Sequence, residues 1–350
     1  MKKIAILGTG AIGGILSAYL NRAGLDVTTI SAYRPEIATA INNFGIALSG
    51  VNGSFHVHAK ASFLDDLTER DVYDYIFLGL KANNYSNAVK RIVPHLAQDG
   101  CIITLQNGIN DDILIPIVGK ERVVIGISFA GGKQVATNHY EDHDGHFVIG
   151  EIDGQITPRL DEIAEVLRYA RPTQYTDNIR KWQWEKLGTV ALHVPLCTIT
   201  GTYMQEAFGN PYVQQFFGLM AKEIFEVAEA DGCKDALIMG KNKAQWASGD
   251  MEMPRMPASD SDTQPKNGLP DGIVDAYTKD IRKGAELEID FTNGSVVRLG
   301  KRYGVPTPVN DAVIAAVRAI EAGSAVPGNE YAKQLLSDLE KGLEVPAQVC

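Results

Sequence analysis

A glycine-rich segment near the start of the chain, KIAILGTGAIGG at residues 3–14, limits the fold more than any other feature. Its first residues form a short apolar run that predicts a buried strand, and the apolar spacing after the glycines predicts a helix. In the G-x-G-x-x-G pattern between them, Gly8 permits a tight turn and Gly10 lets the backbone approach a pyrophosphate. Gly13 lets the helix pack closely on the strand. Although such a pattern also occurs in ordinary turns, its position between strand and helix predicts a dinucleotide-binding turn.

The backbone of this turn supplies the predicted phosphate contacts. The first N–H groups of a helix lack partners inside the helix, and its dipole places positive charge at that end. The predicted cofactor-binding residues of the turn are Gly8, Thr9, Gly10, Ala11, Ile12 and Gly13.

Length and composition bound the remaining possibilities. A chain of 350 residues is too long for one ordinary core and predicts two domains. The formal charge of −10 disfavours nucleic acid or an anionic membrane as the main partner. No apolar stretch is long enough to span a bilayer and no apolar leader precedes the first strand, so we expect a cytoplasmic protein. The four cysteines are far apart and form no C-x-x-C pair, which argues against a disulfide framework or a zinc ribbon.

The order of elements predicts an α/β fold. Strand and helix signals alternate through residues 1–175, which indicates an N-terminal Rossmann-type, doubly wound parallel sheet. Longer helical patterns then predict a mainly α-helical C-terminal domain over 176–350. We expect substrate binding and dimerisation to belong to this domain. A stretch rich in Pro, Ser, Asp and Gly at 248–272 predicts a long loop. The principal predicted helices of the second half cover 179–196, 211–231, 272–283 and 308–322.

The end of the second strand predicts the cofactor. A site for NAD usually places a carboxylate there, whereas the 2′-phosphate of NADP needs an arginine. In VTTISAYRPE, residues 27–36, the carboxylate position falls near Ser31, and Arg34 follows closely. Ser31 and Tyr33 can donate hydrogen bonds there, and we predict that Ser31 and Arg34 bind the cofactor. We therefore favour NADP(H) and leave NAD(H) open, since Arg34 precedes a proline and could point into solvent.

Several longer segments carry a more specific signature, and through them the chain resembles the ketopantoate reductases, or 2-dehydropantoate 2-reductases. The resemblance covers nearly the whole length and implies reduction of a 2-oxo acid with NADPH. Its segments are LKANNYSNAV at 80–89, LQNGIN at 105–110, WEKLGTVALHVPLCTITG at 184–201, AELEIDFTNGSVV at 285–297 and GVPTPVND at 304–311.

The resemblance implies roles for four residues. Lys81 and Asn107 match positions beside the nicotinamide and the catalytic centre, Lys186 matches the catalytic lysine, and Glu288 matches the substrate-binding glutamate. Hydride transfer to a carbonyl carbon leaves an alkoxide, which a lysine ammonium can protonate or stabilise. Burial would lower the pKa of such a lysine and a nearby glutamate would raise it. Each residue alone is equally compatible with a surface charge or an Asn-Gly turn.

Three positions depart from the family pattern. Where ketopantoate reductases present asparagines one and two turns after the lysine, this chain has Val190 and Val194, and Ala276 replaces a serine. A substrate oxygen left without these partners would lose about 1–3 kcal/mol for each contact. We therefore predict a pocket that accepts, in place of ketopantoate, a different or less polar oxo or hydroxy compound. His193 is either a replacement polar contact or a satisfied core residue.

The histidines of NHYEDHDGHF, residues 138–147, do not have the spacing of a zinc signature, and we predict a hairpin loop at Asp144-Gly145 and no metal site. Three functions remain open. The first is an NADP-dependent 2-oxo-acid reductase or 2-hydroxy-acid dehydrogenase. The second is a reductase of imines formed from oxo acids, and the third is a non-catalytic dinucleotide sensor. The sequence leaves a homodimer open.

Overall fold

The computed structural model describes residues 2–202, 206–207, 210–248 and 276–344. The chain divides into two compact units, Met1–Gln183 and Trp184–Cys350, so the division falls a few residues after the boundary that the sequence predicts. Apart from Ser248, the predicted loop at 248–272 lies outside the described residues.

Among the described residues, the strands all belong to the first unit. In chain order they are β1 (Ile4–Leu7), β2 (Val27–Ser31), β3 (Ile46–Gly50), β4 (Phe55–Val57), β5 (Lys60–Phe63), β6 (Tyr73–Leu78), β7 (Leu96–Thr104), β8 (Val123–Ser128), β9 (Gly132–Ala136), β10 (His139–Asp142), β11 (Phe147–Glu151) and β12 (Thr173–Tyr175).

The larger sheet has the predicted Rossmann-type topology. Among the described residues it contains eight strands in the order β12-β11-β8-β7-β6-β1-β2-β5. All its pairings are parallel except that of β8 with β11. Every residue of β1 and β2 is buried, as expected for parallel strands covered on both faces. The chain crosses from one side of β1 to the other between β5 and β6, so a topological switch point lies at β1.

The smaller sheet, in the order β4-β3-β10-β9, corrects one prediction. The expected hairpin at Asp144-Gly145 is wrong, because β10 belongs to the smaller sheet and β11 to the larger one. Gly145 has a positive φ of 150°, but Asp144 does not have a positive φ, so the pair does not form the two-residue hairpin turn that Asp-Gly favours. A local turn signal does not specify which strands pair, and β10 pairs with the distant β3 and with β9.

The first unit also contains helices, which are α1 (Ala11–Arg22), α2 (Pro35–Phe44), α3 (Tyr85–Ile92), α4 (Asp111–Val118) and α5 (Pro158–Arg168). The smaller sheet packs on α1 through the fully buried Tyr140, whose hydroxyl donates to the carbonyl of Thr9 at 3.2 Å. The hydroxyl of Tyr19 donates to Asp142 at 2.6 Å, and the same carboxylate forms a buried ion pair with Arg171.

Helix α6 (Ile179–Thr200) begins in the first unit and continues into the second. The second unit is mainly helical, as predicted, and a core of Phe216, Phe217 and Met220 lies on its second long helix. Among the described residues no helix is long and apolar enough to cross a membrane. The further helices are α7 (Pro211–Ala230), α8 (Lys243–Ala247), α9 (Ala276–Arg282), α10 (Asn293–Tyr303), α11 (Pro308–Glu321) and α12 (Asn329–Glu344).

Candidate active site

In the glycine loop between β1 and α1, close backbone contacts leave no room for a side chain at Gly8 or at Gly13. Gly8 has a φ of 113°, and a Cβ there would lie 2.5 Å from the backbone nitrogen of Leu80. A Cβ on Gly13 would lie 2.1 Å from the carbonyl oxygen of Gly8. These two positions therefore have the tight turn and the close helix packing that the sequence predicts.

Gly10 meets the requirement for a close ligand. It is exposed, and a Cβ there would meet only the carbonyl oxygen of Gly79, at 3.5 Å. Gly10 is also the N-cap of α1, where no side chain caps the helix and no acidic residue stands in the first turn. This cradle of backbone N–H groups and positive dipole suits a pyrophosphate, so residues 8–13 fit the phosphates of a dinucleotide.

The other predicted cofactor residues of the first unit follow the carboxyl ends of neighbouring parallel strands. Ser31 ends β2, Lys81 follows β6, and Asn107 follows β7. The glycine loop starts at the same edge, where the Gly8 amide donates to the carbonyl of Ile30 at 2.8 Å. The structure therefore brings these segments together at the edge where open α/β sheets bind ligands.

Gly79 is a contributor to this edge that the sequence reasoning missed. It follows β6 directly, and a Cβ there would lie 2.6 Å from the Cα of Gly13. Its amide donates to the carbonyl of Leu7 at 2.8 Å. A glycine placed immediately after a buried strand was the available signal.

Arg34, the predicted 2′-phosphate ligand, is exposed and already has an acidic partner. Its Nε lies 2.9 Å from Oε1 of Glu36, and this contact with Arg34 lowers the pKa of the Glu36 carboxyl. The hydroxyl of Ser31 is buried and donates to the carbonyl of Arg34 at 2.7 Å, so Ser31 shapes this loop. The sequence analysis missed this partner, because it considered only a carboxylate at the end of β2 and not Glu36, two residues after Arg34.

Asn107 lies in a turn held from both sides. Gly108 has a φ of 90°. The side-chain amide of Asn110 donates to the backbone carbonyl of Asn107 at 2.9 Å, and the Tyr85 hydroxyl donates to the backbone carbonyl of Asn110 at 2.9 Å. Beside this turn is a small cavity of about 20 Å³, lined in part by Gln106. The Asn-Gly turn is therefore real, and Asn107 itself is half-buried. Lys81 is exposed.

In the second unit, Lys186 lies on α6 and is half-buried. Burial lowers the pKa of its ammonium group from the usual 10.5, which makes it a stronger acid than an exposed lysine. Val190 and Val194 follow on the same helix face at the i+4 and i+8 positions, and both are buried. The face that carries the predicted catalytic lysine therefore continues as an apolar stripe.

Two further predicted residues lie near one another in the fold of the second unit. Glu288 is half-buried, and its carbonyl accepts hydrogen bonds from the amides of Phe291 and Thr292, at 2.9 and 3.1 Å. Ala276 is exposed and is the first described residue of α9. The hydroxyl of the adjacent Tyr277 is hydrogen-bonded to the hydroxyl of Thr292, which connects α9 to the Glu288 turn.

The histidines have ordinary local partners. One ring nitrogen of His193 lies 2.6 Å from the carbonyl of Thr189 on the preceding turn, which supports a satisfied structural residue. His139 contacts the Ser49 hydroxyl at 3.0 Å, His143 contacts Glu141 at 3.1 Å, and His146 stacks on a phenylalanine. Within the described part of the chain, no three His, Cys, Asp or Glu residues are grouped as they would be around a metal ion.

Comparison with known families agrees with this arrangement. Residues 4–154 match the family model described as ketopantoate reductase PanE/ApbA, and residues 178–321 match the model for the C-terminal part of the same family. The chain belongs to the ketopantoate reductase family. It is therefore an oxidoreductase of a family that acts on small 2-oxo or 2-hydroxy acids, and membership implies a nicotinamide dinucleotide cofactor.

Individual relatives are distant. The 2-dehydropantoate 2-reductase of Aquifex aeolicus is 26% identical over 91% of this chain and 97% of its own. A ketopantoate reductase of Ralstonia eutropha superposes with a TM-score of 0.73 at 25% identity, over 92% of this chain and 99% of its own. A D-mandelate dehydrogenase in complex with NADH and anilino(oxo)acetate superposes with a TM-score of 0.77 at 22% identity, over 92% and 98%. At this identity the last likeness shows the fold alone.

Proposed function

We propose that the protein reduces a 2-oxo acid to the 2-hydroxy acid with NADPH, and that Lys186 protonates the alkoxide that forms. The observation that carries this proposal is the lowered pKa of the half-buried Lys186. A buried ammonium stabilises negative charge on a neighbouring oxygen more strongly than an exposed one does, and its lowered pKa favours release of the proton. We assign substrate binding to Glu288, in the same unit as this lysine, and a catalytic role to Asn107 of the first unit.

The cofactor assignment rests on residues of the first unit. The glycine cradle at 8–13 would hold the pyrophosphate, and Arg34 would hold the 2′-phosphate. Lys81 and Asn107 would lie at the nicotinamide end, since they follow the strands on the other side of β1. A bound nicotinamide supplies the hydride. Ser31 supports the position of Arg34 through its hydrogen bond to the arginine carbonyl.

The substrate assignment rests on the second unit. Val190, Val194 and Ala276 offer no hydrogen bonds from their side chains, so a polyhydroxylated acid would leave oxygen atoms without partners. An acid with an apolar or aromatic group beside the oxo carbon suits such a pocket better. The D-mandelate dehydrogenase that shares this fold binds anilino(oxo)acetate, which carries an aromatic group, so the fold itself is compatible with such a substrate.

The test is a panel of phenylglyoxylate, aliphatic 2-oxo acids and ketopantoate, assayed with NADPH and with NADH by the absorbance of the reduced nicotinamide. We expect the highest kcat/KM with NADPH and an apolar 2-oxo acid, and loss of turnover with retained NADPH binding in Lys186→Ala. Lys222→Ala, an exposed lysine of α7, is the matched control. Ketopantoate as the best substrate would refute the substrate class, and full turnover by Lys186→Ala would refute the mechanism.

The same assay separates the alternative functions. Turnover that appears only when an amine is added would identify an imine reductase. Cofactor binding with no turnover on any compound would identify a sensor. No observation on the described residues favours either function over reduction of an oxo acid.

A further inference from the structure

Helix α6 contains a proline that interrupts its backbone hydrogen bonds. Pro195 lies inside the helix and has no N–H group, so it cannot donate to the carbonyl of Ala191 four residues earlier. A buried carbonyl without a donor is costly, and the structure supplies one from elsewhere. The side-chain amide of Asn293 donates to the Ala191 oxygen at 3.0 Å.

Asn293 is fully buried and has a second fixed contact. Its amide also donates to Oδ1 of Asn310 at 3.1 Å, so both amide protons are used. The amide of Asn310 in turn donates to the buried carboxylate of Glu223 at 2.7 Å. That carboxylate accepts from the backbone amides of Val309 and Asn310 as well, at 2.8 and 2.9 Å. Asn293 is therefore fixed by a buried network that runs through the core of the second unit.

The position of Asn293 connects this network to the candidate site. It is the first residue of α10 and follows Glu288 after one short turn, Ile289–Phe291. The carbonyl of Glu288 accepts from the amide of Thr292, the immediate neighbour of Asn293. At the other end, Ala191 lies next to Val190 on the helix that carries Lys186. One side chain thus ties the segment bearing the predicted substrate glutamate to the helix bearing the predicted catalytic lysine.

We propose that Asn293 is a positioning residue. By donating to the Ala191 carbonyl that Pro195 leaves without a helical donor, it fixes the position of the Glu288 segment relative to Lys186 on α6. The inference rests on the proposed function, because it assumes that Lys186 and Glu288 act together on the substrate. It assigns a role to a residue that touches neither substrate nor cofactor. It also explains why a proline is compatible with a buried stretch of this helix.

The test uses the proline to separate stability from positioning. In Asn293→Ala the carbonyl of Ala191 loses its donor, so both the melting temperature and activity should fall. In Asn293→Ala/Pro195→Ala the helix supplies its own N–H to that carbonyl, so the melting temperature should recover part of the loss, although Oδ1 of Asn310 still lacks the donor that Asn293 provided. The tie to the Glu288 segment is still absent in the double variant. We therefore expect its kcat/KM for phenylglyoxylate and for ketopantoate to stay about tenfold or more below that of the wild type.

The comparison of the single and double variants distinguishes a positioning role of Asn293 from a purely structural one. A double variant whose kcat/KM recovers together with its melting temperature would show that Asn293 is only structural and would overturn the inference. Pro195→Ala alone should keep wild-type kcat/KM, and NADPH affinity should stay unchanged in every variant. If Asn293→Ala does not fold, Asn293→Ser, which keeps a small hydroxyl donor, replaces it alone and with Pro195→Ala, and the same comparison applies. Full turnover by Lys186→Ala would instead refute the proposed function itself.

Discussion

Lys186 is half-buried on α6, and the next two residues of its helix face are valines. Its lowered pKa makes a prediction about pH. In the reducing direction the ammonium form is the proton donor, so the rate should fall as pH rises through that pKa, which lies below the usual 10.5. The measurement is kcat for phenylglyoxylate reduction from about pH 6 upward. Lys222→Ala should keep this profile, and a rate that stays flat up to pH 10.5 would contradict it.

The same lysine makes a prediction about stability. Between its lowered pKa and 10.5 the unfolded chain binds more protons than the folded one, so the free energy of unfolding should rise with pH in that window. Below the lowered pKa, the folded protein must hold a desolvated cation. We expect Lys186→Met to raise the free energy of unfolding at neutral pH, as measured by urea denaturation. A loss of stability in this variant would show that the cation is well compensated in the folded state.

Arg34 and Glu36 make a prediction about cofactor choice. A 2′-phosphate would compete with the Glu36 carboxylate for the guanidinium, and the two anions would repel each other. Arg34→Ala should weaken binding of NADPH far more than binding of NADH. Glu36→Gln should strengthen NADPH binding about two- to fivefold, with the gain shrinking at high salt.

Calorimetric titration with both cofactors measures these changes, and Glu69→Gln, an exposed glutamate of the same unit, controls for net charge. Equal effects of Arg34→Ala on the two cofactors would contradict the role of the arginine. An unchanged NADPH affinity in Glu36→Gln would contradict only the proposed competition between Glu36 and the 2′-phosphate for Arg34.

Among the elements, α1 depends on a close contact with the smaller sheet. A Cβ on Gly14 would lie 2.2 Å from the ring of Tyr140. Gly14→Ala should therefore force the ring or the helix to move, at a cost of about 1–3 kcal/mol. Because the Tyr140 hydroxyl also holds the Thr9 carbonyl, NADPH affinity should fall together with the melting temperature.

Gly328→Ala is the matched control, since a Cβ there meets nothing within 4 Å. A Gly14→Ala protein with wild-type melting temperature and NADPH affinity would show that the glycine loop does not depend on Tyr140.

The sequence predicts elements well where the signal is local. Apolar runs located β1 and β2, helical periodicity located α6, α7 and α11, and the glycine spacing located the loop that the structure shows. Pairings between distant residues escaped this reasoning. The partnership of β10 with β3, the use of Asn293 by Ala191, and the packing of Gly79 on Gly13 depend on chain segments far apart in sequence, which no local pattern encodes.

At the scale of the whole molecule, the predicted cofactor residues belong to the first unit, and Lys186 and the predicted substrate residues belong to the second. Substrate preference should therefore change without loss of cofactor binding. We expect Val190→Asn/Val194→Asn/Ala276→Ser to raise kcat/KM for ketopantoate about tenfold or more, because each polar group can restore about 1–3 kcal/mol.

Steady-state kinetics with ketopantoate, together with NADPH titration, measures this outcome. Ala285→Ser, at another exposed position, is the control. An unchanged preference in a folded triple variant would show that these side chains do not determine the substrate class.

The contact of Tyr140 with the glycine loop limits how this protein can be shortened. The large sheet and its helices look like a complete nucleotide-binding module, and an engineer would cut away the smaller sheet as an appendage. That cut would remove the hydroxyl that holds Thr9, the ring packed on Gly14, and the carboxylate of Asp142 that pairs with Arg171. A minimal nucleotide-binding fragment of this chain must therefore keep β3, β4, β9 and β10, and a chimaera that exchanges the glycine loop must exchange the smaller sheet with it.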